Sequence, residues 1–452
     1  MTPAQQLERA PILLVELTEW DQLGPAQDQR LKGCFLGDNP QVRRLTEALR
    51  PRLDIREGYD GLEVTSTSFV GRVDVGPLRI AVRPKLRTMP LARLLRYAYG
   101  LRDVTTIEET GSPTTRYGLH DLLIALLAAE VEELLHRGLA RRYVSLSEKL
   151  ESPRGRIQIT ELIRQGGVRE AKLPCLHFER RADWHLNQVL RSGLGSAAQM
   201  TEDRDLRHRL HQLSAMFGDV GYLARLRSED IARAERELTR LTATCRPALT
   251  LIGLLHDAQG IAFDSSEPLK RMPGFLFDMN TFFQRLLSRF LHDNLTIARI
   301  TDEITIRGLF AYAPDANPRR RRAPATRPDY ALFRENELKG FLDAKYRDIW
   351  DKGLPAEWLY QLSIYALASP SELSVLLYAS MAEGARDERV EVRQPVAWSN
   401  RSSASVILRP VPLTYLAELL DPDRLGSLAS ARHQLANDLV SPKARKYGLM
   451  AA

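Results

Sequence analysis

Asp329, Asp343 and Lys345 are the residues of this chain whose types and spacing could do chemistry. They sit on two apolar arms, Asp329 to Phe333 and Leu338 to Tyr346, separated by the polar run Arg334, Glu335, Asn336 and Glu337. Apolar arms around a polar turn read as a β-hairpin. If the hairpin turns about Asn336, Asp329 falls opposite Asp343, with the two Cβ atoms roughly 5 Å apart. Two like charges at that distance repel, and a divalent cation relieves the repulsion. Hard oxygen ligands from one or two carboxylates, completed by waters, suit Mg²⁺. The strand period of two puts Asp343 and Lys345 on one face, where the ammonium can orient a water nucleophile and stabilise developing charge. The bland alternative is an exposed hairpin with solvated charges. Phe341, Leu342 and Ala344 argue against it, because they make a buried strand end on which an acidic pair is costly unless compensated. Mg²⁺ or Mn²⁺ is the expected cofactor, held by Asp329 and Asp343; Ala344 is also assigned to the metal site by its place between Asp343 and Lys345, though its side chain points the other way, into the core.

Several elements must position this group. A helix over Ala356 to Ala368 follows the hairpin and carries Gln361 and Tyr365 four apart on one face. A buried strand is expected at Leu373 to Tyr378 and another at Ser405 to Arg409. Ahead of the hairpin, a helix is expected from Phe277 to Leu291 and strands between Thr296 and Ile306. Between Asp315 and Thr326 a proline-containing loop presents Arg319, Arg320, Arg321 and Arg322, which read equally as a grip for phosphates and as a solvated loop. Earlier in the chain, Leu62 to Phe69 reads as a strand and Gly71 to Lys85 as a hairpin turning at Gly76 and Pro77. Leu91 to Tyr99 reads as a short helix, and His120 to Leu135 shows the apolar spacing of a core-facing one. From Arg180 to Cys245 the pattern is helical almost throughout. The expected fold class is α/β, α+β overall, in three parts: a β-rich N-terminal domain (1–156), a helical middle region (157–262) and a C-terminal α/β domain that carries the hairpin (263–452).

Composition narrows the classes. A chain of 452 residues, 27% charged and 44% hydrophobic, can build two or three folded domains. The net charge of +7 permits contact with nucleic acid without requiring it. Cys34, Cys175 and Cys245 are odd in number and far apart, so no disulfide framework or paired-cysteine zinc site is expected and a reducing cytoplasm fits. No signal peptide is evident and no apolar stretch approaches the ~20 residues that span a bilayer, so no membrane partner is expected. There is no Walker P-loop and no Gly-x-Ser-x-Gly elbow, so a partner must supply any nucleotide hydrolysis. His177 and His185 lack metal-ligand spacing. Asp183 and Asn187, with Arg180 and Arg181 before them, read as a capped, salt-bridged helix start.

Pro328 and Asp329, then Asp343, Ala344 and Lys345, then Gln361 and Tyr365 resemble the PD-(D/E)xK nucleases, especially those with a Gln-x-x-x-Tyr helix. Over most of its length the chain also resembles the McrC family, the nuclease subunits of modification-dependent McrBC systems. The resemblance rests on Gly71 to Leu86, Arg154 to Gln158, Pro174 to Asp183, Leu186 to Leu190, and Phe275 to Met279 followed by Phe282 and Phe283. It implies a Mg²⁺-dependent endonuclease, with Gln284, Asp329, Asp343, Lys345, Gln361 and Tyr365 in the catalytic group. Its partners would be a hexameric McrB-type AAA+ GTPase and DNA carrying modified cytosine. The N-terminal region would dock on the ring, with Arg72, Arg79, Arg83 and Lys85 as candidate contacts. One position departs from the family, which commonly has a glutamate where this chain has Gln284. Either the neutral amide coordinates through its carbonyl, or Asp302 or Glu303 completes the site, or the match slips by a helical turn. Two other functions stand beside the first: an inactive nuclease-fold scaffold that activates an AAA+ motor, and a stand-alone repair nuclease.

Overall fold

The computed structural model describes residues 13–76, 78–101, 118–168, 171–259, 274–313, 315–393, 402–424 and 426–443. They group into two compact units. The first draws on both ends of the sequence, within Met1–Asp103, Ser112–Leu119 and Ile261–Ala452; the second falls within Val104–Gly111 and His120–Gly260.

The first unit begins with β1 (Leu13–Thr18), β2 (Gln22–Leu23), α1 (Pro40–Leu49), β3 (Leu53–Glu57), β4 (Leu62–Ser66), β5 (Phe69–Val75), β6 (Leu78–Arg83) and α2 (Thr88–Tyr99). The expected hairpin is β5 and β6, with Val75 opposite Leu78; Gly76 makes the turn at φ +57, while Pro77 lies outside the described residues. The second unit holds α3 (Leu119–His136), β7 (Arg142–Leu150), β8 (Arg156–Ile157), α4 (Ile159–Arg164), β9 (Leu173–Arg181), α5 (His185–Met200), α6 (Arg204–Ala215), α7 (Ser228–Arg236) and α8 (Arg246–Gln259). The chain then returns to the first unit with β10 (Gly274–Asp278), α9 (Met279–Asn294), β11 (Arg299–Asp302), β12 (Tyr330–Arg334), β13 (Glu337–Lys345) and α10 (Ile349–Lys352). It continues through α11 (Ala356–Leu367), β14 (Leu373–Ser380), β15 (Glu388–Arg393), β16 (Ser402–Pro412), α12 (Leu413–Leu419) and α13 (Ala429–Val440).

A six-stranded sheet, ordered β11-β12-β13-β14-β16-β15, carries the candidate chemistry. β13 and β14 run parallel and are joined by α11, the crossover that parallel neighbours require. One face packs Phe341, Leu376, Tyr378, Val406 and Leu408 against Leu362 and Tyr365 of α11. In the same unit α2 and α13 pack on α9.

Four expectations are corrected. The linear three-part division differs from the observed one, because β10 pairs antiparallel with β5 and so ties the N-terminal strands to the C-terminal half. Gly71 is required at that seam: a Cβ there would lie 2.0 Å from the Phe275 carbonyl oxygen. The helix expected from Phe277 begins at Met279, since Phe275, Leu276 and Phe277 are strand and Asp278 caps the helix by accepting the Asn280 N–H at 2.9 Å. The middle region is not helical from residue 157, because β7, β9 and β8 form a three-stranded sheet before α5. Its helix start is also built differently. Trp184 is the N-cap residue and makes no side-chain capping bond, Asp183 instead accepts from Gln188 and Gly221, and Arg181 pairs with Glu179.

Candidate functional site

The hairpin turns at Glu335 and Asn336 rather than about Asn336 alone, and a register shift between Leu332 and Phe333 makes up the difference. Glu335 and Asn336 both take positive φ, 53° and 64°, the backbone of a two-residue hairpin turn matched to strand twist. β12 and β13 pair with Tyr330 opposite Leu342 and Ala331 opposite Phe341. One step further, Asp329 comes level with Asp343. The Oδ2 of Asp329 accepts the Ala344 N–H at 2.8 Å and the Gln284 side-chain amide at 3.1 Å. Gln284 therefore faces the pair from α9, where its main-chain carbonyl also accepts the Tyr330 hydroxyl at 2.6 Å. The structure brings Gln284, Asp329, Asp343 and Lys345 together.

Electrostatics there are under-compensated. Asp343 is only 2% exposed, and Lys345 pairs with its Oδ2 at 2.8 Å. That oxygen is buried and receives no well-directed hydrogen bond. One ammonium serves two carboxylates. Burial, then the charge of Asp343, pushes Asp329 up to about 6, while burial raises Asp343 against the lowering pull of Lys345. Lys345 also lies 5.9 Å from the ring centre of Trp358 on α11. On that helix the Gln361 amide donates to the Tyr365 hydroxyl at 2.8 Å. Tyr365 is buried, and its phenol is pushed up to about 12 by desolvation first, with Asp343 and Asp329 contributing to the rise. It therefore stays protonated beside the acidic pair.

Asp302 and Glu303 spend their carboxylates elsewhere. Asp302 accepts the Ser288 hydroxyl at 2.7 Å and has His292 at 3.4 Å, and Glu303 pairs with Arg327. Among the described residues, no three His, Cys, Asp or Glu side chains gather as metal ligands. The available donors are the two aspartates, the carbonyl of Ala344 and the Gln284 amide, whose oxygen and nitrogen can exchange places. They fit a hard cation that keeps several waters.

The remaining candidates lie in different settings. Arg319, Arg320, Arg321 and Arg322 are exposed, in a loop bracketed by Asn317, which bonds both the N–H and the carbonyl of Arg321 at 2.8 Å. On the N-terminal sheet Arg79 makes two 3.0 Å bonds to Asp74, and Arg83 pairs with Glu16 at 2.6 Å. Arg72 lies beside them on β5, and the Lys85 N–H donates to Glu19 at 2.9 Å. His185 bonds the Asp230 carbonyl at 3.0 Å. None of the three cysteines forms a disulfide, and Cys175 and Cys245 are buried.

Sequence reasoning missed the groups that brace the end of β13. The Trp20 indole N–H donates to the Tyr346 carbonyl at 2.7 Å. The Tyr346 hydroxyl donates to Glu19 at 2.9 Å, and burial pushes that carboxyl up to about 7. Trp358, three positions before Gln361, was the one with a readable local signal.

This fold is shared with a solved assembly. A chain of the refined half-complex from a tetradecameric assembly of Thermococcus gammatolerans McrB AAA+ hexamers with bound McrC aligns with a TM-score of 0.60 at 20% identity, covering 92% of this chain and 100% of that one. A chain of the cryo-EM structure of the Thermococcus gammatolerans McrBC complex aligns with a TM-score of 0.45 at 21% identity, over 63% of this chain and 89% of that one. No curated protein matches. Residues 64–379 match the model of a restriction-system family, the McrBC 5-methylcytosine restriction system component. The chain belongs to that family. No helix among the described residues is long and apolar enough to cross a membrane.

Proposed function

We propose that the chain is the DNA-cleaving subunit of a McrBC-type restriction system, a Mg²⁺-dependent endonuclease of the PD-(D/E)xK type. The observation that carries this reading is the buried, under-compensated group of Asp329, Asp343 and Lys345 at the end of a hairpin. Asp329, Asp343, the Ala344 carbonyl and the Gln284 amide would hold the ion. Bound Mg²⁺ would polarise the phosphoryl oxygens and lower the pKa of water. Lys345 would orient the attacking water and stabilise charge developing on the phosphate. Tyr365, kept protonated and bonded to Gln361, would fix the α11 side of the site. Arg319 to Arg322 would supply salt-sensitive contacts to the DNA backbone.

The chain's partner would be a hexameric McrB-type AAA+ GTPase, with DNA bearing modified cytosine as substrate. The McrB AAA+ hexamers with bound McrC in the Thermococcus assembly are the precedent. Arg72, Arg79, Arg83 and Lys85 are the docking candidates; Arg79 and Arg83 would exchange Asp74 and Glu16 for acidic groups of the ring. The scaffold reading rests on one observation, the neutral Gln284 where a third acid would strengthen the site.

The test combines the purified chain with its cognate ring, GTP, Mg²⁺ and DNA carrying modified cytosine. The native chain should cut, and Asp343→Ala should stimulate ring hydrolysis normally without cutting. Equal cutting by Asp343→Ala removes the site assignment. Stimulation without cutting by the native chain, in Mg²⁺ or Mn²⁺, selects the scaffold, and cutting without the ring selects the repair nuclease.

A further inference from the structure

Two positions past Lys345 stands a guanidinium that no carboxylate of the described residues pairs with. Arg347 lies 5.1 Å from the ring centre of Trp20 and 5.8 Å from that of Trp358. Its Nε is buried and has no hydrogen-bond partner. Stacking on two indoles orients the planar cation while leaving its donors unused, and that fork matches a phosphate or carboxylate geometrically.

The cradle around it is itself pinned. Trp20 holds the strand through its indole bond to the Tyr346 carbonyl, and the Lys352 ammonium donates to the Trp20 carbonyl. Tyr346 is anchored on its other side by Glu19, and its N–H donates to Asn280 at 2.9 Å. Lys345 shares the Trp358 ring with Arg347. Lys352 is held below the ordinary lysine pKa, by burial first and then by the nearby charge of Lys85, with Arg347 acting in the same direction against Asp21 and Asp351. Arg347, Lys352 of α10 and Lys85 just past β6 therefore lie close enough to repel one another, and Lys345, which shares the Trp358 ring with Arg347, is the cation that pairs with Asp343. Their mutual repulsion is relieved when an anion enters.

We propose that Arg347, with Lys352 beside it, binds a phosphate of the DNA backbone adjacent to the one that is cut, and that Trp20 and Trp358 hold its guanidinium ready for that contact. This rests on the nuclease reading. Its contribution is a binding residue two positions past the end of β13, outside the carboxylate and lysine group.

The test uses the full chain carrying Asp343→Asn, which removes cleavage, and a labelled DNA duplex titrated by fluorescence anisotropy across a salt series. Adding Arg347→Met should weaken binding and reduce the slope of log affinity against log salt by about one, the signature of one lost phosphate contact. Arg347→Lys should restore the slope, a rescue that a merely structural role would not produce. Where Met compromises folding, judged by circular dichroism, Arg347→Gln replaces it. An unchanged slope and affinity overturns the inference while leaving the nuclease reading intact. No binding by the Asp343→Asn chain even at the lowest salt overturns the reading beneath it.

Discussion

Two buried ion pairs lie in the same six-stranded sheet, and they are built on opposite principles. Arg409, on β16, is fully buried, and every nitrogen is used. Its Nε and Nη2 bond Asp387 at 3.0 and 2.6 Å, Nη1 bonds the carbonyls of Asp438, Leu439 and Ser441, and Nη2 also reaches the Lys443 carbonyl at 3.0 Å. These carbonyls belong to the end of α13, so the arginine satisfies acceptors that a helix C-terminus leaves open. Asp343 is nearly as buried, but its partner Lys345 is only partly so, and a second acid, Asp329, shares that single ammonium. A closed network fixes structure. An open one, held in place by the same sheet, is where an ion or a substrate can complete the charge balance.

The comparison breaks first at Arg409. Arg409→Met should cost about 3–5 kcal/mol, because Asp387 is left buried without its cation and the α13 carbonyls lose their donors. Urea denaturation measures this, and a cost below about 1 kcal/mol would mean the network is not structural. The open pair should respond in the opposite direction. Asp329 has a folded-state pKa raised to about 6, above its ordinary value near 4. The folded chain thus binds that proton more tightly than the unfolded chain. The resulting stability is fully present below about pH 4 and is lost as pH rises through about 6. In EDTA, Asp329→Asn should therefore be more stable than the native chain at neutral pH, with the gap closing towards about pH 4. Urea midpoints across that range check it. A variant less stable than the native chain at neutral pH would show that the pair is already compensated.

Local rules made the open pair readable and left the closed one hidden. The hairpin was legible because alternation and turn chemistry act over a few residues, but the Glu335–Asn336 turn alone would set Asp329 opposite Leu342, and the register shift between Leu332 and Phe333 is what brings it level with Asp343. Gln361 and Tyr365 were legible through helical spacing, and they are bonded to one another. Gln284 stayed open in the sequence because its position depends on how α9 packs, and the bond to Asp329 resolves its direction. Nothing local marks Arg409 as buried, since its partners lie in chain segments around 387 and 438 to 443. The same is true of Trp20 and Tyr346, which meet across 326 positions. The pairing of β10 with β5 joins segments about two hundred residues apart in sequence, which is why a linear division into three domains missed it.

The most direct measurement is Mn²⁺ binding to the full chain, by calorimetry or electron paramagnetic resonance at neutral pH. The native chain should bind an ion that the Asp329→Asn, Asp343→Asn double variant cannot hold, and Gln284→Glu should bind it roughly tenfold more tightly. Equal binding by the native chain and the double variant would contradict the account, because the two carboxylates would then not be what holds the ion.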